Sequence, residues 1–72
     1  MDNIKIETTG LILNGEFKNW NIFIQDLDQG KGAYLILLTS LDGSEGYDDW
    51  VENFYNLEGY FKQTKWNIQW NN

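Results

Sequence analysis

The sequence predicts an α+β fold: an antiparallel sheet of four to five strands with one helix packed on one face, in the order β-β-β-(β)-α-β. Three stretches carry that prediction. Trp20, Ile22 and Ile24 alternate with Asn21, Phe23 and Gln25, the period-2 pattern of a half-buried strand. "AYLILLTS", residues 33–40, is an apolar run of strand length. After Asn53, the residues Leu57, Tyr60 and Phe61 recur at helical spacing.

The elements follow in order. "LILNGEF" sets Asn14 and Gly15 between apolar runs, the signal for a two-residue hairpin because both residues tolerate positive φ. Strands near residues 3–13 and 16–26 would flank it. Ile4 and Ile6 are even-numbered while Leu11 and Leu13 are odd, so the first strand must absorb one residue if both pairs face the core, and Thr8 to Gly10 is the expected bulge. The 33–40 strand is apolar on both faces, which predicts an interior position covered on both sides. "LDGSEG", residues 41–46, is a turn-rich loop.

"YDDWVENFY" then parses in two ways. With Asp49 as N-cap and Glu52 as its capping-box partner, Trp50, Phe54, Leu57 and Phe61 share one helix face. With Tyr47 to Glu52 as a short strand, Asn53 caps a helix from Phe54 to about Thr64. The second parse is preferred, since the first sets Gly59 deep inside a longer helix. "KWNIQW", residues 65–70, closes the chain as a strand with Trp66, Ile68 and Trp70 on one side.

Composition narrows function. At 72 residues the chain is a single domain, 1–72, near the lower size limit for folding on a core alone. Cysteine and histidine are both absent, which removes disulfides, thiolate chemistry, imidazole bases and the usual zinc sites. Eleven acids against five basic residues, all lysine, give a net charge of −6, unfavourable for nucleic acid. No apolar stretch is long enough for a signal peptide or a membrane span, so a soluble, cytoplasmic protein is the expectation.

Catalysis would need a nucleophile with a base, a metal, or carboxylates with split pKa values, and only carboxylates are present. The expectation is a protein that is not an enzyme, with no catalytic residues, no cofactor and no metal. "DLDQGKG" spaces Asp26 and Asp28 like the first ligands of a calcium loop. Gly30 then falls on a ligand position, Lys31 on the required glycine and Leu37 on the bidentate glutamate, so it reads as a turn.

"GYDDWVEN", "LEGYF" and "WNIQW" resemble the C-terminal pattern of small acidic bacterial proteins, among them immunity proteins of polymorphic toxin systems. The resemblance spans about the last third of the chain. It implies a non-catalytic inhibitor that covers a toxin's active site and assigns no residue by position.

The leading expectation is therefore a protein-binding module with a basic partner, a toxin or nuclease. Tyr47, Asp48, Asp49, Glu52 and Tyr55 are its candidate contact residues. Trp50 and Phe54 are expected to face the core while the three acids stay in water, because no arginine is at hand to pair with a buried carboxylate. A second candidate patch is Phe17, Asn19, Asn21, Phe23 and Gln25, rings among amides suited to a small molecule or carbohydrate. A third expectation is a homodimer paired through an edge strand. Trp20, Trp66 and Trp70, at alternating strand positions, are read as core rather than as a sugar-stacking platform.

Overall fold

The computed structural model describes residues 4–29 and 31–71. Gly30 of the calcium-loop comparison and residue 3 at the start of the expected first strand lie outside them. Five strands form one sheet: β1 (Thr9–Ile12), β2 (Asn21–Asp26), β3 (Tyr34–Thr39), β4 (Gly46–Val51) and β5 (Ile68–Trp70). The helix α1 (Phe54–Thr64) lies between β4 and β5 in the chain. The strand order is β4-β3-β2-β1-β5 with every neighbouring pair antiparallel, so this is the α+β fold the sequence predicts. The first four strands form a meander. α1 then carries the chain back from the β4 edge to the β5 edge.

The helix begins where the second parse of "YDDWVENFY" places it. Asn53 is extended, and its side chain accepts a hydrogen bond from the Asn56 N–H at 2.8 Å, satisfying one of the free donors of the first turn. Leu57 is fully buried, with Tyr60 and Phe61 packed against the core beside it. Among the described residues no helix is long and apolar enough to cross a membrane.

The core lies between α1 and one face of the sheet, and holds Ile12, Ile22, Ile24, Tyr34, Ile36, Leu38, Leu57 and Trp66. Trp20, Ile68 and Trp70 pack on its margin, so the alternating tryptophans belong to this layer. Trp66 meets Phe17, Tyr60 and Phe61 edge-on, with ring centroids 5.9, 5.9 and 6.3 Å away. Such ring pairs add stabilisation beyond the area they remove from water.

Three local expectations are corrected. Asn14 and Gly15 do not form a two-residue hairpin, and β2 starts at Asn21. The Asn14 side chain is engaged elsewhere, accepting from the Asn67 N–H at 2.7 Å and donating to the Lys65 carbonyl at 3.2 Å. Residues 13–20 instead make a longer connection, with bonds from the Lys18 N–H to the Gly15 carbonyl and from the Trp20 N–H to the Phe17 carbonyl, which turns both rings inward.

No parity change is needed in the first strand: the even-numbered Ile4, Ile6 and Ile12 all pack on the core, while Leu11 lies on the other face and Leu13 is 43% exposed, and the irregularity before β1 sits at Glu7 rather than at Thr8 to Gly10. Glu7 has φ +59°, and its N–H donates to the Ile24 carbonyl although the β1–β2 register would set Thr8 opposite Ile24. The Glu7 carboxylate accepts from the Asp26 N–H at 2.7 Å, fixing the irregularity from the side chain as well.

Finally, β3 has neighbours on both sides but is not covered on both faces. Tyr34, Ile36 and Leu38 are buried under α1, whereas Leu35 and Leu37 point the other way and are only half-buried. One short helix covers one face of a sheet, and the chain has no second layer to offer among the described residues.

Candidate functional site

Cross-strand register assigns the side chains of the uncovered face. Phe23 lies opposite Leu37, which lies opposite Asp48. Gln25 lies opposite Leu35, which lies opposite Trp50. Asn21 is opposite both Leu11 and Thr39. The result is an apolar centre of Leu11, Phe23, Leu35 and Leu37, half-exposed, continued by Trp50 on the edge strand at 60% exposure. Asn21, Gln25 and Asp48 border it. A face with this pattern is what a protein presents to another surface, apolar at the middle and polar at the rim.

The five expected contact residues do not share one surface. Strand alternation sends Asp48 to the uncovered face and sends Tyr47 and Asp49 to the helix side. Tyr47 stacks on Trp20, with centroids 5.6 Å apart and planes 11° apart, so it closes the rim of the aromatic core. Asp49 accepts a hydrogen bond from the Tyr60 hydroxyl at 3.0 Å. Glu52 and Tyr55 meet Trp50 around a shallow depression of about 560 Å³ between the end of β4 and the outer side of α1, and Tyr55 is 81% exposed. All three acids stay at the surface, as expected.

Trp50 and Phe54 are not core residues, which corrects the expectation for both. Val51 and Tyr47 take the inward positions of β4, leaving Trp50 on the open side. Phe54, in the first turn of α1, touches Tyr34 edge-on at 6.0 Å and is 43% exposed. The second patch is likewise divided. Asn21, Phe23 and Gln25 lie on the uncovered face, but Phe17 packs against Trp20 at 4.9 Å in the core layer, and Asn19 sits at φ +74° in the connecting loop. Leu11, Leu35 and Leu37 were missed by sequence reasoning. For Leu35 and Leu37 the signal was present in a strand apolar on both faces, with one helix among the described residues to cover it.

Burial, reinforced by the hydrogen bond to Asp49 and by its negative charge, raises the Tyr60 phenol above the ordinary tyrosine range. A group whose pKa is raised on folding contributes stability below its unfolded pKa, and that contribution is lost as the pH rises through the folded value. In alkaline titration followed by tyrosinate absorbance, one phenol should therefore ionise late, together with unfolding. Tyr60→Phe should remove that late phase, and its persistence in the variant would show the assignment to be wrong.

No family model, curated protein or solved structure matches this chain. Among the described residues no cluster of acids is arranged to hold a metal ion.

Proposed function

We propose that this protein is a non-catalytic binding module that docks the uncovered face of its sheet, with the adjoining β4 edge, on a basic surface of another protein. Its most concrete form is an immunity-type inhibitor of a bacterial toxin or nuclease, in the cytoplasm where such an enzyme would act. The observation that carries the reading is Trp50, exposed on an edge strand beside Leu35 and flanked by carboxylates. Aromatic side chains in this setting supply the desolvated anchor of an interface, and the acids speed encounter with a cationic partner.

The same acids disfavour a homodimer. β4 is the longer of the two edge strands, with six residues against three in β5. A symmetric antiparallel pairing across its middle would bring Asp48 and Asp49 against their own copies, the kind of repulsion that blunts natural sheet edges. A strand or loop rich in lysine and arginine meets the opposite situation. The carbohydrate alternative loses support, because Phe17 and Asn19 leave the patch on which it was based.

The test is association kinetics with a basic bacterial toxin or nuclease as the partner. Wild type should associate faster as salt is lowered, and the doubly substituted Asp48→Asn/Asp49→Asn protein should lose most of that dependence. Trp50→Ala should leave the association rate nearly unchanged and speed dissociation about tenfold. Equal kinetics for all three proteins would refute the reading, and a concentration-dependent dimer in sedimentation would favour self-pairing instead.

A further inference from the structure

A groove of about 700 Å³ opens on the other side of the molecule, between the last turns of α1 and the segment leading through β5. Phe54, Phe61, Trp66 and Ile68 provide its apolar walls. Lys5, Lys62 and Lys65 stand on it, so three of the five lysines of a chain with net charge −6 gather at one apolar cleft. Glu58 is the single acid among the lining residues. A volume of this size lies within the range of small-molecule sites, roughly 300–1,000 Å³.

Lys62 and Lys65 have a structural reason to be where they are, since cations at a helix C-terminus complement its dipole. Lys5 has none, because it arrives from the segment before β1. Lys65 is also conformationally expensive. It ends α1 in the left-handed region, φ +57° and ψ +31°, with its N–H bonded to the Phe61 carbonyl, a position usually given to glycine. Keeping a lysine there sacrifices stability for a side chain, which links strain to use.

We propose that this groove binds a free, single-chain apolar carboxylate, a medium-chain fatty acid or its aryl equivalent. The hydrocarbon lies along Phe61, Trp66 and Ile68, and the head group is held by the ammonium groups of Lys5, Lys62 and Lys65. The helix C-terminus presents carbonyls, so the anion is attracted by the lysines and not by the backbone. An anionic membrane surface is the poorer occupant, because the acidic remainder of the molecule would be repelled by it. This site is separate from the uncovered sheet face and does not depend on the inhibitor reading.

The experiment uses dodecanoate below its micellar concentration, with dodecyltrimethylammonium as the cation of equal chain length, in calorimetry and in amide and indole shift mapping. Dodecanoate should bind, moving the Trp66 indole and the amides of Phe61, Lys62 and Ile68, and the cation should not. Lys62→Gln combined with Lys65→Gln should weaken binding about tenfold, as loss of charge-assisted contacts does. Lys65→Gly is the variant that cannot be dismissed as misfolded: it should raise the melting temperature and still weaken binding several-fold. The proposal is overturned if the cation binds equally, if the lysine variants bind like wild type, or if dodecanoate gives neither heat nor shifts. Shifts confined to the Phe23 and Leu37 face, or binding to anionic vesicles without binding to free dodecanoate, would also overturn it.

Discussion

Trp66→Ala is expected to leave most molecules unfolded near physiological temperature. Trp66 is 8% exposed, its indole is met edge-on by three other rings, and it joins α1, the 13–20 connection and the approach to β5. Truncating a buried tryptophan costs about 3–5 kcal/mol, the lost transfer energy plus the cavity left behind. A chain of this size has roughly 4–11 kcal/mol to lose, at 0.05–0.15 kcal/mol per residue. The melting temperature should therefore fall by roughly 12–40 °C. Calorimetry with urea denaturation measures it, and a loss under 1 kcal/mol would mean that the aromatic cluster is loosely packed or relaxes to fill the gap.

Gly10→Ala should destabilise by about 1–3 kcal/mol, a large effect for a single methyl group. Gly10 lies in β1 opposite Trp70 of β5, and a Cβ built there would stand 2.6 Å from Ile68 Cγ2 and 2.8 Å from Trp70 Cε3. Neither neighbour is free to retreat, since both pack on the core. The missing side chain is what allows β5 to lie against β1. Gly59 provides the contrast within the same molecule. It sits inside α1 with nothing within 4 Å of the added methyl, so Gly59→Ala should stabilise by about 0.4–1 kcal/mol. If Gly10→Ala left the denaturation midpoint unchanged or raised it, the close approach of β5 would not be the reason for Gly10.

These two glycines show where the sequence was legible. Local signals were read well. Asn53 capping a helix from Phe54, the short strand before it, and the inward set of Trp20, Ile22 and Ile24 are determined within a few residues, and they stand as expected. Long-range signals were not. Nothing beside Asn14 announces that its amide will be taken by Lys65 and Asn67, and that engagement dissolves the tight hairpin. Glu7 is an uncommon residue for the left-handed region, so the irregularity before β1 was hidden behind the more obvious Gly10.

The candidate sites divide in the same way. Alternation alone separates Asp48 from Asp49, so the distribution of the acids over two faces was available once Tyr47 to Glu52 was read as a strand. The exposure of Trp50 was harder to see. Large rings are generally buried, and only the count of layers shows that a single helix leaves one side of β3 and β4 bare. The lysine-rimmed groove had no linear signal, because Lys5 and Lys65 are brought together only by the pairing of β5 with β1.

The antiparallel placement of the first and last strands also determines how the molecule answers to force. β1 runs beside β5 with the Asn71 N–H bonded to the Thr9 carbonyl at 2.9 Å, so the two points where the chain leaves the sheet are neighbours at the same end of that pair. Tension applied through both ends first loads the bonds of Glu7 to Ile24 and Asp26 on one side and that of Asn71 on the other, then the Gly10 and Trp70 pair, then Ile12 and Ile68. Bonds loaded in succession give way one at a time, whereas a sheared pair must break its bonds together. The molecule is mechanically soft along its own chain ends, and opens like a zipper from the side on which β5 was added.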